Sequence, residues 1–139
     1  MTGFRWLTLL LFMAAFGIIA VTAQDGTSEV VITLERTACF GSCPVYTITI
    51  LEDGTVQYEG DRNVTATGYQ VSEISPETVA AMVAAFEDAG YFGWDDAYDT
   101  QTVSDLPTVI TSVTSDGTTQ RIVRYTGDQT APLALRFLE

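Results

Sequence analysis

Cys39 and Cys43 are the only thiols in the chain, and they lie in Ala38-Cys39-Phe40-Gly41-Ser42-Cys43-Pro44-Val45-Tyr46. Two thiols this close can form a disulfide, work as a redox pair, or stay unpaired and donate to a metal. An oxidising compartment favours the disulfide, and closing so short a loop stabilises a fold by about 2 kcal/mol on chain-entropy reasoning. Gly41 supplies the sharp backbone such a loop needs, and Pro44 stiffens the start of the next segment. A redox pair of the thioredoxin kind has two intervening residues and a helix start that lowers one thiol pKa, and neither pattern is present here.

The other residue types narrow the chemistry further. The sequence contains no histidine and no lysine. That removes Ser-His-Asp and Cys-His activation, most zinc sites, Schiff-base chemistry and the lysine of a phosphate-binding loop. Two cysteines alone cannot close a tetrahedral zinc site. Asp95, Asp96, Asp99 and Asp105 are oxygen donors of the type calcium takes, but they lack the alternating acids, central glycine and bidentate glutamate of an EF-hand loop. They read first as a solvated acidic loop, with a calcium- or carboxylate-dependent hydrolase as the alternative. Glu35, Glu52, Glu59, Glu73 and Glu77 could supply a pair of catalytic carboxylates, although sequence spacing does not bring any two together. Tyr91, Phe92, Trp94 and Tyr98 come after a helix, where aromatics either plug the end of a core or present a ligand face.

These residues are positioned by elements with clear patterns. Val30, Ile32 and Leu34 alternate with Val31, Thr33 and Glu35, which predicts a half-buried strand over 29–36. Beyond the cysteines, Tyr46, Ile48 and Ile50 alternate with Thr47, Thr49 and Leu51, predicting a second strand. Asp53-Gly54 is a hairpin signal with Val56 to Glu59 returning, and Val64 to Val71 is a weaker strand interrupted by Gly68. Ser75-Pro76-Glu77 marks a helix start: a capping hydroxyl, a proline where no N–H is needed, and an acid facing the dipole. Gly90 ends that helix, and Val79, Met82, Val83 and Phe86 form its apolar stripe. Thr108 to Thr114 and Gln120 to Tyr125 flank a second Asp-Gly turn, and Pro132 opens a short helix with Leu133 and Phe137 one turn apart. The expected fold is α+β: an antiparallel sheet of five to six strands, one main helix on one face, and a short C-terminal helix.

The N-terminus reads as a leader. Arg5, an apolar run from Trp6 to about Val21, and Val21-Thr22-Ala23 before Gln24 form the three regions of a secretory signal, so residues 1–23 are expected to be removed. An uncleaved anchor is the alternative, because the run approaches the roughly 20 residues needed to span a bilayer. The formal charge is −12, and the leader contributes no acid to it. Such a surface repels phosphate backbones and anionic headgroups, which argues against nucleic-acid or membrane-surface partners after cleavage. A protein or small ligand remains as the partner class, with no cofactor expected.

The run Cys39-Phe40-Gly41-Ser42-Cys43-Pro44-Val45-Tyr46, with Thr47-Ile48-Thr49-Ile50 and Asp53-Gly54-Thr55-Val56, resembles an exported bacterial family known as domain of unknown function 6438. The resemblance extends to Tyr58-x-Gly60, Gly68, Tyr91-Phe92, Tyr98 and Asp105-Leu106-Pro107, and spans about Val30 to Leu138. It implies an extracytoplasmic α+β module in which Cys39, Gly41, Cys43, Pro44, Tyr46 and Asp105 define the family, and it brings no activity with it. The reading is therefore one domain over 24–139, exported to the periplasm, cell surface or medium, disulfide-stapled, and acting as a non-catalytic binding or structural module. An envelope thiol-disulfide protein using Cys39 and Cys43 is the rival.

Overall fold

A computed structural model describes residues 28–100 and 103–139; the leader expected over 1–23 lies outside them. β1 (Val30–Arg36), β2 (Val45–Leu51), β3 (Thr55–Arg62) and β4 (Gly68–Glu73) form an antiparallel meander. α1 (Pro76–Ala89), one 3-10 turn (Tyr91–Gly93) and β5 (Ala97–Tyr98) come next, then the hairpin β6 (Thr108–Ser115) and β7 (Thr118–Tyr125), and α2 (Leu133–Leu138). The spatial order is β4-β3-β2-β1-β6-β7-β5, a seven-stranded sheet. The α+β class is as expected, but the sheet is larger and mixed: β5 pairs in parallel with β7, Ala97 opposite Val123 and Tyr98 opposite Arg124. Two residues are too few to carry a period, so the connector carries no strand signal there.

Two boundaries also move. β3 runs on through Gly60 to Arg62 to stay paired with Tyr46 and Val45, and β4 starts at Gly68 instead of Val64. In β1 the alternation breaks at a β-bulge between Val30 and Ile32. The extra residue puts Val31, expected opposite Ile32, against the core beside it, and leaves Val30 exposed.

One face of the sheet carries the core. Register places Ile50, Ile32 and Val113 in one row and Thr111 and Ile122 in the next, and Val79 and Phe86 of α1 are buried against them. α1 begins as its sequence demands: the Ser75 Oγ accepts from the Thr78 N–H at 3.2 Å, Pro76 opens the first turn, and Gly90 caps the end at φ 85°. Met82 and Val83 complete its stripe. α2 packs on the same face through Leu135 and Leu138, while Leu133 and Phe137 point outward, 64% and 82% exposed. The opposite face, lined in register by Thr33, Thr49, Gln57 and Ser112, carries neither helix and is mostly polar.

The two Asp-Gly turns sit in different surroundings. Gly54 donates to Leu51 O, and its own carbonyl accepts from Ile74 N at 2.9 Å where the chain turns into α1. A Cβ there would collide with the Ile74 carbonyl, whereas a Cβ at Gly117 would meet nothing.

The aromatic connector closes the end of the core. Tyr91 is fully buried, edge-on to Phe86 at 5.0 Å and to Phe92 and Trp94 at 5.8 Å, and its hydroxyl donates to Thr111 O at 2.8 Å. Beside it lies a buried ion pair, Arg124 of β7 with Glu139, whose Nε to Oε2 distance is 2.7 Å. Burial first, and then the Glu139 carboxylate, push the Tyr91 hydroxyl well above the usual phenol range. Replacing Arg124 by Met strands a buried carboxylate and should lower stability by about 3 kcal/mol, while Arg124→Met with Glu139→Leu should recover most of it. Urea unfolding of the two variants against wild type measures both.

Candidate functional site

Cys39, Gly41, Cys43, Pro44 and Asp105 converge at the end of the sheet where β1 stops and β6 starts. Past Arg36 the chain turns into the cysteine loop, where Cys39 and Cys43 are joined in a disulfide with Cα atoms 5.7 Å apart. Inside it the Gly41 N–H donates to Cys39 O at 3.0 Å with φ at 153°, a value that favours glycine. Asn63, beyond β3, donates from Nδ2 to Cys43 O at 3.0 Å and braces the loop from the side. Pro44 then leads directly into strand β2.

A second loop meets it. Phe40 N–H donates to Asp105 O at 3.1 Å, so Asp105, distant in sequence, holds the cysteine loop through its backbone. Asp105 itself sits at φ 70°, a left-handed backbone unusual outside glycine but tolerated best by Asp and Asn. The Tyr125 hydroxyl fixes this loop twice, donating to Val103 O at 2.6 Å and accepting from Leu106 N at 2.9 Å. Thr37 and Thr108 seal the junction: Thr37 N donates to Thr108 O at 3.0 Å and Thr108 N to Thr37 Oγ1 at 2.9 Å. Cys39, Gly41, Cys43, Pro44 and Asp105 thus form one end of the molecule. Tyr46 stands just inside it, opposite Arg36, its ring 5.9 Å from that of Tyr58.

This end presents apolar groups to solvent. Phe40 is 89% exposed at the tip of the clamped loop, and the loop bonded to it carries exposed Val103 and Leu106. Sequence reading had no way to expose Phe40, since phenylalanine is ordinarily core. Tyr125 was read only as the end of a strand.

The other candidates disperse or turn structural. Among the described residues no three Asp, Glu, Cys or His side chains gather as a metal site would require. Asp95 and Asp96 immediately precede β5, the Asp96 carboxylate accepting from Gln120 Nε2 at 2.9 Å, while Asp105 belongs to the cysteine end. Asp99 is exposed beside β5. Glu35 and Glu59 flank Thr47 on the open sheet face, Glu73 ends edge strand β4, and Glu52 lies in the β2–β3 turn. Glu77 is held below the usual carboxylate range by its own N–H in the first turn of α1, then by Ser75. The aromatics plug the core.

Asp128 was missed by sequence reading, although Asp-x-Thr before a proline is an Asx-turn pattern. Its buried carboxylate accepts from Thr130 N and Oγ1, each at 2.6 Å, and from Thr100 N at 2.8 Å. The Thr130 hydroxyl, then the amides of Thr130 and Thr100, hold it at about 2 against the opposing effect of burial. It ties the segment after β5 to the start of α2.

Fold and site together define a small α+β domain with a disulfide-clamped loop end. The chain belongs to the family described as domain of unknown function (DUF6438), which it matches over residues 30–139. No curated protein matches it.

Replacing both cysteines with serine should preserve the fold, lower stability by about 2 kcal/mol in chemical denaturation, and raise amide exchange at Phe40 and Gly41. For Asp128 the folded pKa is depressed, so its contribution is complete above the unfolded value near 3.8 and disappears as pH falls towards about 2. Asp128→Asn should therefore flatten the melting temperature between those two values relative to wild type.

Proposed function

We propose that this protein is an exported, non-catalytic binding module that docks through Phe40 into an apolar pocket on a partner protein. The observation that carries the reading is a phenylalanine 89% exposed on a loop closed by a disulfide and hydrogen-bonded to its neighbour. A rigid loop has little conformational entropy left to lose on association, and a central aromatic or aliphatic anchor is what dominates interface energetics. The acidic surface favours a protein over an anionic bilayer as the recipient.

Export rests on the leader pattern of residues 1–23, with cleavage after Ala23, and the disulfide is compatible with an oxidising compartment. The redox alternative is disfavoured by the element beyond Cys43: strand β2 supplies no helix N-terminus to stabilise a thiolate.

Three measurements test this. The intact mass of the exported protein should begin at Gln24 and gain two alkyl groups only after reduction. A photo-crosslinking residue at position 40 should capture a partner protein that the same residue at exposed position 77 does not. Phe40→Ser should leave stability within about 0.5 kcal/mol, as exposed substitutions do, and release that partner. Retention of the partner by Phe40→Ser would sink the docking role.

A further inference from the structure

Among the described residues two aspartates precede a glycine, Asp53 before Gly54 and Asp116 before Gly117; Asp25-Gly26 lies outside them. This dipeptide is the one most open to ring closure, because a glycine amide nitrogen has no neighbouring side chain to hinder its attack on the aspartate carboxyl. The fold controls two requirements of the reaction. The peptide plane between the two residues must turn towards the side chain, and the carboxyl must be in its neutral form to lose its hydroxyl.

At the first turn both are restrained. Gly54 is buried, its N–H donates to Leu51 O at 3.0 Å, and its carbonyl accepts from Ile74 N at 2.9 Å. Asp53 is held on both sides, its own N–H donating to Ser28 Oγ at 3.0 Å and its Oδ1 accepting from Thr55 N at 2.9 Å. The Thr55 amide, then the Thr55 hydroxyl, keep its carboxyl below the usual carboxylate range and so deplete the neutral form.

The second turn has none of these restraints. Asp116 and Gly117 are exposed, and the strands on either side end their pairing at Ser115 with Thr118. Among the described residues no backbone hydrogen bond engages the Gly117 N–H, so turning this peptide plane breaks no bond there. We propose that Asp116-Gly117 is a site of spontaneous isoaspartate formation in the folded protein and that Asp53-Gly54 is protected from it. The Gly117 nitrogen bonds to the Asp116 side-chain carbonyl carbon, whose hydroxyl leaves with the amide proton as water, giving a succinimide. Water then cleaves the bond from that nitrogen to the main-chain carbonyl carbon, which becomes a free carboxylate while the chain continues through the side chain. One water is lost and one regained, so the mass is unchanged. The site is independent of the docking role given to Phe40.

Ageing the exported protein at physiological temperature and mildly acidic pH tests the proposal. Peptides are mapped by electron-transfer fragmentation, which separates isoaspartate from aspartate at equal mass, and the peptide holding Asp25 is scored apart. Opening the two backbone bonds at Gly54 should slow closure there by roughly tenfold, so isoaspartate should accumulate at 116 about tenfold faster than at 53. In urea, with both turns opened, the two positions should convert at comparable rates. No isoaspartate at 116 in the folded protein, equal conversion at 53 and 116, or the same preference for 116 in urea would each overturn it.

Discussion

The pairing of β1 with β6 is the constraint on which the rest of this molecule depends. It joins the meander β1–β4 to the hairpin β6–β7 through residues Ile32 to Arg36 and Val113 to Val109. At its end Thr37 and Thr108, 71 residues apart, bond to each other. Ordering so distant a contact is entropically expensive, though the loop-closure part grows only logarithmically with length. Once it forms, the exit of β1 and the approach to β6 become neighbours, and the cysteine loop and the Asp105 loop meet without further adjustment. The disulfide, closing a loop within a few residues, stiffens this end without creating it.

The core beneath the two helices is not uniformly apolar. Arg124, Glu139 and the Tyr91 hydroxyl are buried together where α2 meets β7, and Asp128 is buried where α2 begins. A six-residue helix has little stability of its own. Here it is held at one end by an Asx turn and at the other by an ion pair, with Leu135 fully buried between them. Polar groups thus fix the position of a segment that hydrophobic burial alone would specify poorly, which is the role buried polarity plays best.

How far the sequence speaks for this structure varies element by element. α1 was readable at both ends because Ser75, Pro76 and Gly90 act locally, and β2 and β3 because Asp53-Gly54 fixes a short connection. The bulge at Val31 was invisible, since an extra residue shifts every later side chain without changing composition. β5 was invisible because its two residues are a strand only through β7. The disulfide came from spacing and compartment, and α+β from element order. The meeting of Phe40 with Asp105 depended on strand order, which no local pattern encodes.

The two Asp-Gly turns, identical as dipeptides, give the molecule very different tolerance of added chain. At Gly54 the backbone is wedged under the link between β4 and α1, so lengthening that turn would lift the helix from its sheet. At Gly117 an added side chain would meet nothing, and both flanking strands are paired to their last residues, Ser115 with Thr118. Growth of the domain by insertion, in nature or by splicing in a peptide, has an open route at the second turn and a closed one at the first.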